Sequence, residues 1–139
     1  MDLNFSNTIT IRVRYGETDR MGYCYYGNFA QYFEVGRVEA LREIGFTYLD
    51  MENTGYLLPV SEFQVKYISP AFYDDLLFVN TNLIGISGPK LYFEYVIKNK
   101  EDKIICIAST TLVFVSKDTM KPISPPKDFL GALNQYKVE

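Results

Sequence analysis

One helical stripe interrupts a chain that otherwise alternates like β-strand, and this constrains the fold more than anything else in the sequence. Phe29, Phe33, Gly36, Ala40, Leu41 and Ile44 recur at helical spacing over about four turns. Asn28 is placed to cap the start, and Gly45 to end it. Gly36 lies in the apolar stripe, where Gly costs about 1 kcal/mol of helix propensity relative to Ala. Its expected compensation is close approach of the helix to the surface beneath it. Before the helix, residues 8–15 alternate strictly, with Ile9, Ile11, Val13 and Tyr15 on one face.

After Gly55 the pattern is all strand: a run over residues 56–69, then 76–86, 91–98 and 103–115. Pro70, Asp74-Asp75, Ser87-Gly88-Pro89 and Lys100-Glu101-Asp102 mark the turns. A short tail helix is expected near 127–136, behind Pro125-Pro126. The last strand is apolar or small on both faces, with Ile105, Ile107, Val113 and Val115 on one and Ile104, Cys106, Ala108, Leu112 and Phe114 on the other. Such a strand is expected to be central and covered twice. One long helix can cover only one side, so a second subunit is the expected cover for the other. The order of elements predicts one α+β domain over residues 1–139, a mostly antiparallel sheet with a helix on one face.

Composition narrows the chemistry. The 139 residues include no histidine, so acid–base work near neutral pH falls to Asp, Glu, Tyr, Lys or Cys. With Cys24 and Cys106 as the only cysteines, far apart in sequence, no zinc-ligand spacing exists, and neither metal nor cofactor is expected. The net charge of −3 and the lack of a basic block argue against nucleic acid as a partner. No apolar run is long enough to span a bilayer. The start Met-Asp-Leu-Asn-Phe-Ser has no signal-peptide pattern, so a cytoplasmic protein with reduced thiols is the expectation. Twelve Tyr and ten Phe are many for a chain of this size, and suit a large core, a ligand groove or a subunit interface.

The chemistry is expected in the stretch from Tyr15 to Arg37. Asp19 sits in a loop containing Gly22 and Gly27, just ahead of the helix whose first N–H groups are free to bind an anion. By itself Asp19 is equally a turn former. Cys24 has no histidine to generate a thiolate, so packing as a small apolar residue is its expected role.

Asp19, Gly22, Tyr25, Asn28, Tyr32, Glu34 and Arg37 stand at the spacing of the hotdog-fold acyl-CoA thioesterases of the 4-hydroxybenzoyl-CoA thioesterase type. The chain most resembles their short bacterial members related to the Tol–Pal-associated thioesterase. The likeness continues through 62–71 and Asp74-Asp75 to Asp118-Thr119-Met120-Lys121-Pro122, nearly the whole chain. It implies a curved sheet wrapped around the long helix and subunits paired edge to edge as a homodimer or homotetramer, with the active site at the interface. The substrate it implies is an acyl-CoA, with acyl-carrier protein as another possible thiol carrier.

The resemblance makes Asp19 the catalytic carboxylate and the Tyr26 backbone N–H, with Gly27 beside it, the donor that polarises the thioester carbonyl. Many members have His where this chain has Tyr26. Because the amide is what acts, that departure bears on substrate preference more than on activity. Asp19 can attack to form a mixed anhydride or orient a water as base, and the sequence leaves both open. Another branch keeps a catalytic Glu at the place of Glu34. Here the expected role is substrate or interface contact, through an i+3 pair with Arg37 or a polar group of the second subunit. Asn28 is expected near the substrate, and Lys90 is the leading candidate for the phosphates of coenzyme A, ahead of Arg20 and Lys66. The rival reading is a protein that binds acyl-CoA or acyl-carrier protein without turnover.

Overall fold

The computed structural model describes residues 1–139. Strands β1 (Asp2–Arg12), β3 (Val60–Tyr67), β4 (Leu76–Ser87), β5 (Lys90–Lys98) and β6 (Ile104–Val113) form one antiparallel sheet in the order β1-β4-β5-β6-β3. Two short strands, β2 (Tyr56–Leu57) and β7 (Val115–Ser116), pair with each other. Helix α1 (Asn28–Ile44) packs across β1 and β4, α2 is Tyr48–Asn53, and α3 is Lys127–Leu133. A sheet curled around one long helix is the hotdog arrangement that the resemblance implies.

Several expected boundaries move. The first strand starts at Asp2, because Leu3 and Phe5 extend its inward face, and ends at Arg12. Val13 still bonds to the segment ahead of β4 at Asp74 and Asp75, but Tyr15 does not share its face: it stands exposed in a 3-10 turn formed by Tyr15–Glu17. The run 56–69 divides at Pro59 into β2 and β3. Helix α2 was not expected, although Thr47 accepts a hydrogen bond from the Asp50 N–H at 3.1 Å, an N-cap legible in hindsight. The tail helix stops at Leu133 and tightens into a 3-10 turn over Asn134–Tyr136.

The final strand corrects the expectation of a strand dry on both sides. β5 is central, and β6 is its neighbour next to the β3 edge. Cys106, Thr110 and Leu112 face inward and are buried, whereas Ile107 on the other face is exposed and Ser109 and Thr111 are half-buried. Ile105 is buried because the chain after β3 folds over it, with the N–H groups of Ile68 and Ser69 both donating to its carbonyl. The outer face carries Asn80, Asn82, Glu94 and Lys98 among its apolar residues, so it does not demand a cover. Exposed apolar side chains lie on that face at Phe78 and Ile107, and along the β3 edge at Val60, Phe63, Tyr67 and Ile68.

Gly36 behaves as its position in the stripe implies. A Cβ there would lie 2.5 Å from Thr81 Oγ1 and 3.0 Å from Val79 Cγ1, so α1 rests on β4 closer than any other residue permits. The expected Glu34–Arg37 pair does not form. Arg37 turns inward and is buried, donating from Nε to the Tyr48 hydroxyl at 3.1 Å, while Glu34 stays exposed.

Candidate active site

The loop between β1 and α1 is organised by Glu17, which was not among the expected site residues. Glu17 is buried, and its Oε1 accepts from the Arg14 N–H at 2.8 Å and from the Tyr32 hydroxyl at 3.0 Å. Its Oε2 takes a further bond from Arg14 Nη2 at 3.2 Å. Burial pushes its carboxyl pKa up, but these hydrogen bonds and the Arg14 charge outweigh that and hold it below the ordinary carboxylate value. Burial raises the Tyr32 phenol, and the Cys24 and Glu17 contacts add to the rise, so Tyr32 remains a donor to Glu17. Cys24 Sγ lies 3.4 Å from the same hydroxyl. Since the phenol proton is committed to Glu17, the thiol is the donor there. Burial raises the Cys24 thiol as well, and the second thiol, Cys106, is pushed up to about 12. Neither is poised to be a nucleophile.

Asp19 is both a turn former and a presented carboxylate, one oxygen for each. Oδ1 accepts from the N–H groups of Met21 at 2.9 Å and Tyr23 at 3.2 Å, closing an Asx turn. The backbone N–H of Asp19 donates to the Tyr23 carbonyl at 2.8 Å, and Gly22 supplies the positive φ of 83° that the turn requires. Oδ2 takes part in none of these bonds.

At the start of α1, Gly27 rather than Asn28 occupies the N-cap position. The Asn28 side chain is turned back, donating from Nδ2 to the Glu17 carbonyl at 2.7 Å, so it braces the turn instead of capping the helix. The same carbonyl accepts the Tyr25 N–H at 2.8 Å, and the Asn28 N–H donates to Tyr25 O at 2.9 Å. Between these anchored residues, the N–H groups of Tyr26 and Gly27 donate to nothing within the chain. The Tyr26 carbonyl is held from the other side by the Tyr67 hydroxyl at 3.2 Å.

These groups meet at a mostly apolar cleft of about 250 Å³ lined by Asp19, Cys24, Tyr26, Phe29, Tyr67 and Ser69 among others. A larger hollow of about 420 Å³ lies on the outer face of the sheet, between Lys66, Asn82 and Glu94. It contains neither the loop carboxylate nor a helix start, so the smaller cleft is the candidate. Of the expected site residues, Asp19 and Tyr26 line this cleft, while Gly27 and Asn28 follow Tyr26 in the chain without lining it. Glu34 is exposed on α1 and does not line the cleft.

Lys90 is farther away. It opens β5 opposite Val113, whereas Tyr67 faces Cys106 across β6. Seven residues of strand separate the two ends, roughly 23 Å. Arg20 is exposed in the loop and Lys66 points from the outer face of β3. Glu17, Tyr67 and Phe29 were not expected at the site. Only Glu17 had a local signal, its place two residues before Asp19, while Tyr67 arrives from a strand 48 residues after Asp19. No three His, Cys, Asp or Glu side chains are grouped to hold a metal ion, and no helix is long and apolar enough to cross a membrane.

Comparison with known proteins bears on the family and the fold. The pattern of the thioesterase-like superfamily matches residues 13–133. The protein YneP of Bacillus subtilis (strain 168) is 36% identical over 119 residues, covering 86% of each chain. The acyl-CoA thioester hydrolase YbgC of Escherichia coli O157:H7 is 30% identical over 125 residues, covering 90% of this chain and 93% of its own. Among solved structures, a DHNA-CoA thioesterase from Staphylococcus aureus superposes with a TM-score of 0.90 at 34% identity, over 94% of this chain and 90% of its own.

Proposed function

The chain belongs to the thioesterase-like superfamily, and from that premise we propose that it hydrolyses acyl-CoA thioesters with Asp19 as the reacting carboxylate and the Tyr26 and Gly27 amides as the oxyanion site. One observation carries the reading: the unbonded Oδ2 of Asp19 and the unpaired N–H of Tyr26 belong to residues lining a single apolar cleft, with the unpaired N–H of Gly27 next in the chain. Thioester cleavage needs both. The acyl carbonyl oxygen takes the two amides, whose donors and helix-start dipole stabilise the negative charge that builds on it. Asp19 Oδ2 then attacks the carbonyl carbon, expelling the coenzyme A thiolate and leaving a mixed anhydride for water to cleave. Alternatively it takes a proton from a water that attacks directly. Single turnover in 18O-labelled water identifies the first route where water attacks the Asp19 carbon of the anhydride, since only then does the label enter Asp19 and the acid leave with unlabelled oxygen.

The reading includes a second copy of the chain. β3 lies at the margin of the sheet with Val60, Phe63 and Tyr67 exposed along it. Antiparallel pairing of two β3 edges about a two-fold axis would set the Val60 end of one copy beside the Tyr67 end of the other. Lys90 stands at the Val60 end of the sheet. The pairing therefore carries the partner subunit's Lys90 toward the cleft, where its ammonium meets the phosphates of coenzyme A. Glu34, outside the cleft of its own chain, reaches substrate only through the same pairing.

The test is thiol release from a panel of aryl and aliphatic acyl-CoA thioesters. Asp19→Asn keeps an oxygen to accept from Met21 and Tyr23, so the loop survives while the free oxygen becomes an amide. Hydrolysis should disappear with acyl-CoA binding within a few-fold. Tyr26→Phe should change the rate several-fold, while Tyr26→Pro, which deletes the amide, should cost roughly 10²–10³ in kcat. Turnover by Asp19→Asn at the wild-type rate would refute the assignment. Absence of turnover in the wild type on every thioester would favour a binding protein.

A further inference from the structure

We infer that Glu17 and Tyr32 are positioning residues for the oxyanion site, a buried brace that aims the Tyr26 and Gly27 amides without touching the substrate. The inference rests on the proposed role of those amides. Five hydrogen bonds from three parts of the chain converge on Glu17. Arg14 supplies two to the carboxylate and Tyr32 one, while Tyr25 N–H and Asn28 Nδ2 share the carbonyl. Tyr25 immediately precedes the two free amides and Asn28 immediately follows them. Both are therefore referenced to one oxygen atom, and the peptide segment between them has little freedom to turn.

The carboxylate determines where that oxygen sits. Tyr32 is one helical turn beyond Asn28, so its hydroxyl ties Glu17 to the body of α1, while Arg14 ties it to the end of β1. A bare turn would need neither attachment. A buried carboxylate is also a costly way to stabilise a fold, because its only counterion, the Arg14 side chain, is 77% exposed. What the side chain adds is a single oxygen, Oε1, that takes both the Arg14 N–H and the Tyr32 hydroxyl and so fixes the turn to both elements. Precision matters here, since a donor misplaced by about 1 Å can lower a rate by about 10²-fold.

The test combines single variants with a double-mutant cycle, all measured as kcat and KM on the best acyl-CoA of the panel. Tyr32→Phe removes only the hydroxyl and should lower kcat by roughly 10-fold with KM within 2-fold. Glu17→Gln keeps an oxygen for Tyr32 and Arg14 and should hold kcat within about 3-fold, whereas Glu17→Ala should lose more than 10-fold. In the Tyr26→Pro background, Tyr32→Phe should cost a clearly smaller factor than in the wild type, because one of the two donors it aims is gone. If Tyr32→Phe leaves kcat unchanged while Asp19→Asn is inactive, the brace has no catalytic consequence and the inference fails. It fails too if the Tyr32→Phe loss multiplies undiminished onto Tyr26→Pro, or if Glu17→Gln is as slow as Glu17→Ala. Equal rates for Tyr26→Pro and Tyr26→Phe would instead remove the oxyanion site itself, a result distinguishable from all of these.

Discussion

Replacing Gly36 by Ala should destabilise the protein even though Ala is the better helix former. The added Cβ would sit 2.5 Å from Thr81 Oγ1, where ordinary contact begins near 3.4 Å, about 0.9 Å too close. Val79 Cγ1 at 3.0 Å blocks the neighbouring direction. Both neighbours are fully buried, β-branched side chains in the middle of β4, so neither can swing away, and α1 must lift from the sheet. Overpacking of this kind costs about 2–3 kcal/mol. The gain in helix propensity returns about 1 kcal/mol. The net loss of about 1–2 kcal/mol corresponds to a fall in Tm of about 4–8 °C for a chain this long, read by calorimetry at fixed protein concentration.

Thr81→Ala supplies the control. Thr81 Oγ1 is a buried hydroxyl with no hydrogen-bond partner, so removing it breaks no bond while clearing the space beneath Gly36. In that background only the 3.0 Å contact with Val79 Cγ1 remains, so the Gly36→Ala loss should shrink toward zero, a coupling of about 1–2 kcal/mol between the two positions. A Gly36→Ala protein as stable as the wild type, or the same loss with and without Thr81, would refute the close approach of α1 to β4.

Three further outcomes follow from the structure. Cys24→Ala should keep hydrolysis within about 3-fold, because the thiol is buried, raised in pKa and tied to Tyr32; a folded but inactive variant would restore the cysteine as nucleophile. Because the folded-state pKa of Glu17 is depressed from 4.5, its contribution to stability is complete above that value and is lost as pH falls through the lower folded value. Urea midpoints should therefore separate wild type from Glu17→Gln at pH 7 and bring them together in strong acid, and a gap that widens in acid would contradict the hydrogen-bonded carboxylate. Light scattering at micromolar concentration should report a dimer or tetramer, and Val60→Lys at the β3 edge should shift it toward monomer; a monodisperse wild-type monomer would remove both the edge pairing and the role of Lys90.

The α+β class, the single long helix and the succession of main elements along the chain were legible in the sequence because each rests on local periodicity: the stripe from Phe29 to Ile44 repeats at 3.6 residues, and β4 and β5 at two. So was Asp19 in a turn, since Asp with Gly22 three residues on already specifies an Asx-type loop. Tertiary structure alone decided the rest. An apolar pattern states that a strand face avoids water but not which neighbour covers it, and so β6 read as doubly buried although Ile107 faces out. The burial of Glu17 was illegible for a related reason: it depends on Arg14 and on Tyr32 fifteen residues away, and a charged residue in a loop otherwise reads as solvated. Arg37 likewise paired with Tyr48 rather than with Glu34, because the free energy of a buried guanidinium is set by the acceptors the fold brings to it and not by helical spacing. The two free amides have the same origin: every residue carries an N–H, and only the closed turn between Glu17, Tyr25 and Asn28 determines which two remain without a partner.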